Sequence, residues 1–170
     1  MIKKKIVTIV GAGVIGAGWA ARMLACGLIV NAYDPSVKAR KQLLLNTKTA
    51  LKSLQRLGLN KNAKLSNLKI YSDLRESLHS TTFVQENAPE NEKLKKKLLK
   101  DIDKLLPKNI IIASSSSGLL PTRIQSLCKH PERVCIGHPF NPVYLLPLVE
   151  LVSGKKTKKK TINEAKKFYE

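Results

Sequence analysis

The chain has 170 residues, 43% of them hydrophobic, and a formal net charge of +19. This length suits one domain, or one domain and the beginning of a second, and the hydrophobic share excludes wholesale disorder. The charge comes mainly from scattered lysines with few aromatic residues between them, so the sequence lacks the base-stacking surface typical of nucleic-acid-binding proteins. We therefore expect no nucleic-acid partner, although a lysine-rich surface would attract anionic cofactors.

The cysteines and the N-terminus bear on where the protein works. Cys26, Cys128 and Cys135 are odd in number and lack metal-ligand spacing, which favours a reducing location and no metal site. Lysines 3–5 and the apolar run after them resemble a secretory signal or a membrane anchor, but glycines interrupt this run and Arg22 follows it. We therefore expect a cytoplasmic protein without a membrane partner.

Short apolar runs alternate with longer amphipathic segments along the chain. In chain order, the predicted elements are a strand over 6–10, a helix over 14–26, a strand over 28–33, a helix over 37–57, a polar connection over 58–68, strands over 68–71 and 82–85, a helix over 90–106, a strand over 109–113, a helix over 121–128, strands over 134–137 and 148–152, and a helix from residue 161. Asp73 is a predicted helix N-cap. This β-α-β order predicts an α/β fold of the Rossmann type, doubly wound around a mostly parallel sheet.

A glycine-rich turn joins the first predicted strand to the first predicted helix. Gly11 permits the tight turn, Gly13 lets the backbone approach a pyrophosphate, and Gly16 allows close packing of the helix on the strand. The free N–H groups at the helix N-terminus also favour a phosphate. The turn residues predicted to bind a dinucleotide are Gly11, Ala12, Gly13, Val14, Ile15 and Gly16.

Asp34 ends the next predicted strand and indicates which dinucleotide binds. Its carboxylate can accept hydrogen bonds from both hydroxyls of the adenosine ribose, and it would repel a 2′-phosphate. NAD is therefore the predicted cofactor, although the neighbouring Lys38 and Arg40 leave NADP as an alternative.

Further polar residues follow other strands, at the edge of the sheet where ligands bind in such folds. Glu86 and the four serines 114–117 lie there, and we expect a serine hydroxyl to donate to a substrate oxygen. His138 is held between Gly137 and Pro139, and oxidation of an alcohol with NAD needs a base for the hydroxyl proton. Glu150, on the next apolar segment, is the candidate carboxylate partner of this histidine.

Five motifs in this order resemble the 3-hydroxyacyl-CoA dehydrogenase family over nearly the whole chain. They are Gly11-Ala-Gly-Val-Ile-Gly16, Val84-Gln-Glu-Asn-Ala-Pro-Glu90, Ala113-Ser-Ser-Ser-Ser117, His138-Pro-Phe-Asn-Pro142 and Leu148-Val-Glu150. The resemblance implies that His138 is the catalytic base, that Glu150 is its pairing carboxylate, and that Ser117 binds the substrate oxygen. It also implies three residues at the nicotinamide and ribose end of the NAD site: Asn141, Glu90 and Lys95.

The details of the resemblance bear on the small-molecule substrate. Members that use CoA usually carry Ser-Asn-Thr-Ser-Ser where this chain reads Ser114-Ser-Ser-Ser-Gly118, and they differ at Tyr144 and Pro147. Three stretches are most similar to members that act on L-carnitine: Gly18-Trp-Ala-Ala-Arg22, Ser117-Gly-Leu-Leu-Pro121 and Asn141-Pro-Val-Tyr-Leu-Leu-Pro-Leu-Val-Glu150. The resemblance therefore implies oxidation of L-carnitine to 3-dehydrocarnitine; the alternatives are a 3-hydroxyacyl-CoA, gulonate, or an NAD-binding module without turnover. Tyr144 is a candidate receptor for a quaternary ammonium, and packing at the domain edge is its alternative role.

Family members continue into a helical second domain that closes the active site and forms a homodimer. The resemblance implies that residues 1–154 are the NAD-binding Rossmann domain. Residues 155–170 are expected to form a basic loop and the start of a helix that leads toward the second domain, which is absent here or only begun. Without that domain the substrate pocket would lie open to water, which is the reason for the alternative of an NAD-binding module without turnover.

Overall fold

The computed structural model describes residues 5–58 and 63–170. Most of the basic run at the N-terminus and residues 59–62 of the predicted polar connection therefore lie outside the described residues. All the predicted strands and helices fall within the described ranges.

Within the described residues, seven strands form one sheet in the order β3-β2-β1-β4-β5-β6-β7. The strands are β1 (Ile6–Val10), β2 (Ile29–Tyr33), β3 (Leu68–Tyr71), β4 (Phe83–Glu86), β5 (Ile111–Ser114), β6 (Val134–Pro139) and β7 (Val149–Ser153). Neighbouring strands are parallel except β6 and β7, which are antiparallel. The carboxyl ends of the six parallel strands therefore share one edge of the sheet.

The helices connect these strands. They are α1 (Val14–Ala25), α2 (Val37–Gln55), α3 (Leu74–Ser77), α4 (Glu92–Leu105), α5 (Pro121–Ile124) and α6 (Lys159–Tyr169), and short 3₁₀ turns cover Leu65–Asn67 and Pro131–Arg133. Asp73 caps α3 as predicted, since its side chain accepts a hydrogen bond from the N–H of Glu76 at 2.9 Å. Across the described ranges, no helix is long and apolar enough to cross a membrane.

The core is divided between the two faces of the sheet. Along β5, Ile111 and Ala113 pack into one hydrophobic cluster and Ile112 packs into the other. This division follows because successive side chains of a strand point to opposite faces. Helices α1, α2 and α6 contribute to the first cluster, and α4 and α5 contribute to the second. The predicted doubly wound α/β fold is confirmed.

Two predicted helices are shorter by three or more residues in the structure. The helix predicted over 90–106 begins at Glu92, because the side chain of Asn91 caps it by accepting from the N–H of Leu94 at 2.9 Å. Glu90 therefore stays in the preceding turn, where its side chain can reach the sheet edge. The helix predicted over 121–128 ends at Ile124, and the chain continues in turns toward Pro131.

Helix α6 packs against the same sheet as the other helices. Its residue Phe168 stacks on Phe83 of β4 with the ring centroids 3.8 Å apart, and Tyr169 meets the same ring edge-on at 5.6 Å. Ala165 is fully buried in the first core cluster. The domain boundary predicted at residue 154 stays a prediction.

A buried ion pair joins α4 to the segment that enters β6. The guanidinium of Arg133 donates to Oδ1 of Asp103 at 2.7 and 3.0 Å and also to backbone carbonyls, including that of Ile110 at 3.0 Å. Oδ2 of Asp103 accepts from the backbone N–H groups of Lys129 and His130 at 2.6 and 3.1 Å. Both charges are therefore compensated inside the protein.

Replacing Asp103 by alanine leaves the buried guanidinium of Arg133 without its carboxylate. We expect the free energy of unfolding to fall by about 3–5 kcal/mol, the usual cost of removing one partner of a buried pair. Urea denaturation followed by circular dichroism measures this change. Asp101→Ala on the same helix is the control and is expected to change the free energy of unfolding by less than about 0.5 kcal/mol; equal losses in both variants would contradict the assignment.

Candidate cofactor and catalytic site

A cavity of about 810 Å³ lies at the carboxyl ends of the parallel strands. This volume is within the range of pockets that hold small ligands. Ten of the residues predicted to form the site line it: Gly11, Ala12, Gly13, Val14, Ile15, Asp34, Glu90, Lys95, Ser117 and His138. Gly16 is buried beside it in α1. Asn141 is exposed on the loop after β6 and is not among the described residues that line the cavity.

The three glycines of the turn after β1 have different surroundings. Gly11 has a φ of +100°, and a Cβ on it would lie 2.7 Å from the backbone of Asn87. A Cβ on Gly16 would lie 2.0 Å from the carbonyl oxygen of Gly11. A Cβ on Gly13 would meet nothing within 4 Å, because this residue faces the open cavity.

Gly13 is also the N-cap residue of α1, and no side chain caps the helix there. The first N–H groups of α1 are therefore not covered by a capping side chain, and they carry the partial positive charge of the helix N-terminus. The open space at Gly13 and this uncapped helix end suit a dinucleotide pyrophosphate. The residues present fit the predicted cofactor.

Asp34 links the glycine turn to the end of β2. Its Oδ2 accepts from the N–H of Ala12 at 2.9 Å, and its Oδ1 accepts from the N–H of Ser36 at 2.8 Å. The guanidinium of Arg40 donates to the backbone carbonyls of Asp34 and Pro35 at 2.6 and 3.0 Å. Arg40 is therefore held by the backbone, and the carboxylate of Asp34 is the charged group at this part of the cavity wall.

Glu86 and Lys95 form an ion pair in which the side chains are 0% and 1% exposed. The ammonium of Lys95 donates to both carboxylate oxygens of Glu86, at 2.8 and 3.0 Å, and to the carbonyl of Ala88 at 2.9 Å. Glu86 also accepts from the Ser114 hydroxyl and from the N–H of Ala88. Although Lys95 lines the cavity, its ammonium is thus committed to Glu86 and the turn at Ala88. Glu86 was expected at this edge, but its pairing with Lys95 was not predicted.

Glu90 receives hydrogen bonds from the serine segment after β5. Its carboxylate accepts from the hydroxyl of Ser116 at 2.8 Å and from the N–H groups of Ser117 and Gly118 at 3.1 and 3.0 Å. Burial raises the pKa of Glu90, but the hydrogen bonds and the nearby Lys95 ammonium together lower it by more than burial raises it. The net pKa is therefore below the ordinary value. Glu90 is therefore an anion at neutral pH, and its stabilising contribution is lost as the pH falls through this lowered pKa.

The four serines at the end of β5 and directly after it have four different environments. The hydroxyl of Ser114 donates to Glu86, and that of Ser116 donates to Glu90. The hydroxyl of Ser115 is surrounded by three polar side chains. Ser117 is exposed and lines the cavity, and its hydroxyl has no hydrogen-bond partner among the described residues. Of the four, Ser117 therefore has the hydroxyl that is free to bind a ligand.

His138 and Glu150 are directly opposite each other on the antiparallel strands β6 and β7. Nδ1 of His138 lies 2.9 Å from Oε2 of Glu150. Because an ionised carboxylate can only accept, Nδ1 carries the proton and Nε2 of the neutral ring is the free basic nitrogen. His138 is 28% exposed and lines the same cavity as the glycine turn. The structure thus brings together the two residues that the sequence paired.

Tyr144 lies apart from this arrangement. It is partly buried against the first core cluster and is not among the described residues that line the cavity. Its position is in keeping with packing, the alternative to a role as a receptor for a quaternary ammonium.

Similarity to known proteins extends over nearly the whole chain. Residues 6–170 match the family model of the 3-hydroxyacyl-CoA dehydrogenase NAD-binding domain. The chain belongs to this family. The predicted family is thereby confirmed, as is NAD, the cofactor that domains of this family bind.

Individual relatives are close to this chain in sequence and in fold. It is 44% identical over 166 residues to an L-carnitine dehydrogenase of Bacillus cereus, covering 98% of this chain and 51% of the relative. It superposes with a TM-score of 0.91, at 29% identity, on 5-formyl-3-hydroxy-2-methylpyridine 4-carboxylic acid 5-dehydrogenase, an NAD⁺-dependent dismutase, covering 98% of this chain and 54% of that one. The (S)-3-hydroxybutyryl-CoA dehydrogenase of Ralstonia eutropha gives a TM-score of 0.89 at 32% identity, with coverage of 98% and 60%. The chain spans about half the length of the curated relatives it matches.

Two glycine substitutions separate cofactor binding from folding. Gly13→Ala adds a methyl group in open space at φ −70°, so we expect the free energy of unfolding to change by no more than about 1 kcal/mol. The same methyl group stands where the pyrophosphate would approach, and we expect NAD affinity to fall at least tenfold, about 1.4 kcal/mol. Calorimetric titration with NAD and thermal denaturation measure the two effects.

Gly16→Ala is the matched control, because its methyl group would collide with the carbonyl of Gly11. We expect this variant to lose about 1–3 kcal/mol of stability through overpacking. If Gly13→Ala binds NAD as tightly as the wild type, the pyrophosphate does not pass over Gly13.

Glu86→Gln tests the buried ion pair. The amide keeps the shape of the carboxylate but leaves the ammonium of Lys95 buried without its nearest counter-charge, so we expect the free energy of unfolding to fall by about 3–5 kcal/mol. Glu92→Gln is the control, because Glu92 pairs with Lys96 and Arg123 at the surface and solvent compensates for the loss. Urea denaturation measures the stability of both variants. Equal denaturation midpoints for Glu86→Gln and Glu92→Gln would show that the charge of Glu86 does not stabilise the fold.

Proposed function

We propose that this site oxidises a 3-hydroxy acid with NAD and that its preferred substrate is L-carnitine, which becomes 3-dehydrocarnitine. The observation that carries the proposal is the hydrogen-bonded pair His138–Glu150 at a cavity that also contains the glycine turn and Asp34. An alcohol dehydrogenase needs both parts, a cofactor site and a base beside it.

In this proposal His138 removes the proton of the substrate hydroxyl. Glu150 accepts from Nδ1–H, which orients the imidazole and leaves Nε2 as the nitrogen that takes the proton. The carboxylate then faces the imidazolium that forms, and the opposite charges stabilise it. Ser117, whose hydroxyl is free among the described residues, donates to the substrate oxygen and orients the hydroxyl toward His138.

The cofactor is held along the carboxyl edge of the sheet. The backbone at Gly13 and the N-terminus of α1 bind the pyrophosphate, and Asp34 binds the adenosine ribose. Glu90, kept ionised by its hydrogen bonds, serves the nicotinamide end, for which Asn141 is also proposed. Lys95, whose ammonium is paired with Glu86, acts at this end through its attraction for the Glu90 carboxylate at 3.7 Å. When bound, NAD accepts the hydride from the substrate carbon.

The choice of L-carnitine is supported by the relatives. The first eight curated matches are L-carnitine dehydrogenases, 43–46% identical to this chain over 94–98% of its length. The structural relatives include a hydroxybutyryl-CoA dehydrogenase at 32% identity, so a 3-hydroxyacyl-CoA is the second candidate.

The test is a calorimetric titration of NAD into the purified chain, followed by assay of NADH formation. L-Carnitine, a 3-hydroxybutyryl-CoA and gulonate are compared as substrates, and we expect NADH with L-carnitine. His138→Ala should keep its NAD affinity within about twofold and lose turnover by about 10²–10⁴-fold, the usual contribution of a general base. His130→Ala, which removes a histidine near Glu132 on the surface, should leave both unchanged.

Each contrary result has a separate meaning. NADH formation only with the CoA ester would make the substrate assignment wrong. NAD binding without turnover on any of the three substrates would identify a cofactor-binding module. Turnover that persists in His138→Ala would remove the histidine from the role of base.

A further inference from the structure

Five side chains form a connected hydrogen-bond network beneath the cavity. The hydroxyl of Tyr169, in α6, contacts Oε1 of Gln85, in β4. Nε2 of Gln85 lies 2.8 Å from Oγ of Ser115 and 3.0 Å from the carbonyl oxygen of Gly137. Ser115 in turn contacts Nε1 of Trp19 at 3.2 Å and Oδ1 of Asn87 at 2.7 Å. Ser115 and Asn87 line the cavity, so the network extends from α6 to the site.

Some groups of this network can only accept or only donate a hydrogen bond, and they determine the direction of all the others. Nε2 of Gln85 faces the carbonyl of Gly137, which can only accept, so the NH₂ group of Gln85 points there and its Oε1 faces Tyr169. Tyr169 must therefore donate. Burial raises the pKa of Tyr169 well above its ordinary value, so its hydroxyl keeps this proton across the working pH range.

The same reasoning determines where the hydroxyl proton of Ser115 points. The indole of Trp19 is a donor only, and Gln85 also donates, so Oγ of Ser115 accepts twice. Its proton must then go to Oδ1 of Asn87, whose NH₂ group is directed to the backbone carbonyl of Gln85 at 2.8 Å. The Ser115 hydroxyl is therefore fully used.

The network reaches the peptide group that precedes His138. The carbonyl of Gly137 accepts from Gln85, and this carbonyl belongs to the same peptide group as the N–H of His138. Gly137 is also packed against Tyr169, since a Cβ at this position would lie 2.2 Å from the Tyr169 hydroxyl. Tyr169 thus contacts β6 directly, as well as through Gln85.

We propose that Tyr169 is a positioning residue for the site: its hydroxyl sets the orientation of the Gln85 amide, which holds Ser115 and the peptide group before His138. This inference rests on the proposed function for the role of His138. Without the hydroxyl, Oε1 of Gln85 has no donor, and rotation of the amide would place its oxygen against the carbonyl of Gly137. Either arrangement weakens the hydrogen bonds by which Gln85 holds Ser115 and the carbonyl of Gly137.

The variant Tyr169→Phe removes the hydroxyl and keeps the ring that packs against Phe83 and Trp19. Two signals in a ¹⁵N-labelled NMR spectrum report on the network: the backbone amide of His138 and the indole N–H of Trp19, the single tryptophan of the chain. We expect both signals to move in Tyr169→Phe. Tyr71→Phe, which removes a hydroxyl on the edge strand β3, should leave both in place.

Kinetics give a second readout. We expect Tyr169→Phe to lower kcat for L-carnitine about tenfold with KM changed by less than about twofold, because geometry at His138 is altered while the glycine turn is not. Gln85→Met should have a similar effect, and adding Tyr169→Phe to it should lower kcat by less than about twofold more, since the two residues act through one path.

Several results would overturn the proposal. If the His138 amide and Trp19 indole signals do not move in Tyr169→Phe, the hydroxyl does not determine the orientation of the Gln85 amide. The same conclusion follows if the losses of kcat in Tyr169→Phe and Gln85→Met multiply in the double variant. A lower melting temperature with unchanged signals and kcat would reduce Tyr169 to a structural role. If the wild type turns over none of the substrates, the proposed function fails, while the NMR comparison still decides the role of Tyr169.

Discussion

Glu86 is completely buried at the carboxyl end of β4, and a carboxylate in that position is stable only when every charge and lone pair is met. Its partners come from three separate segments: Lys95 from α4, the N–H of Ala88 from the turn after β4, and the hydroxyl of Ser114 from β5. The backbone around Ala88 also borders Gly11, where no side chain fits. The pairing of this one anion therefore holds the serine segment, the turn that carries Glu90 and the glycine turn around one cavity.

The serine segment shows how position in the fold, and not residue type, decides function. Ser114 and Ser116 serve buried or partly buried carboxylates, and Ser115 is saturated within the network under the cavity. Ser117 is left to face the cavity. Three hydroxyls support the site and one is available to it, although the four residues are chemically identical.

Much of the fold was predictable because the strands are short apolar runs and the cofactor turn is a local motif. The predicted strands match those of the structure to within about two residues, and Asp34 lies beside the glycine turn as expected. Helix ends were less predictable, since the cap at Asn91 depends on a single side chain. The contact between Tyr169 and Gln85 could not be predicted, because 84 residues separate the two in sequence and only the packing of α6 brings them together.

The reversed direction of β7 has its own consequence for how this site can vary. In the ladder between β6 and β7, His138 is paired with Glu150 by backbone register, and a shift of one residue would send the carboxylate to the other face of the sheet. The ladder, and not the loop that joins the two strands, therefore keeps Nδ1 of His138 within hydrogen-bond distance of the Glu150 carboxylate. An inserted residue within either strand is therefore expected to separate the two side chains, because every residue beyond the insertion changes face.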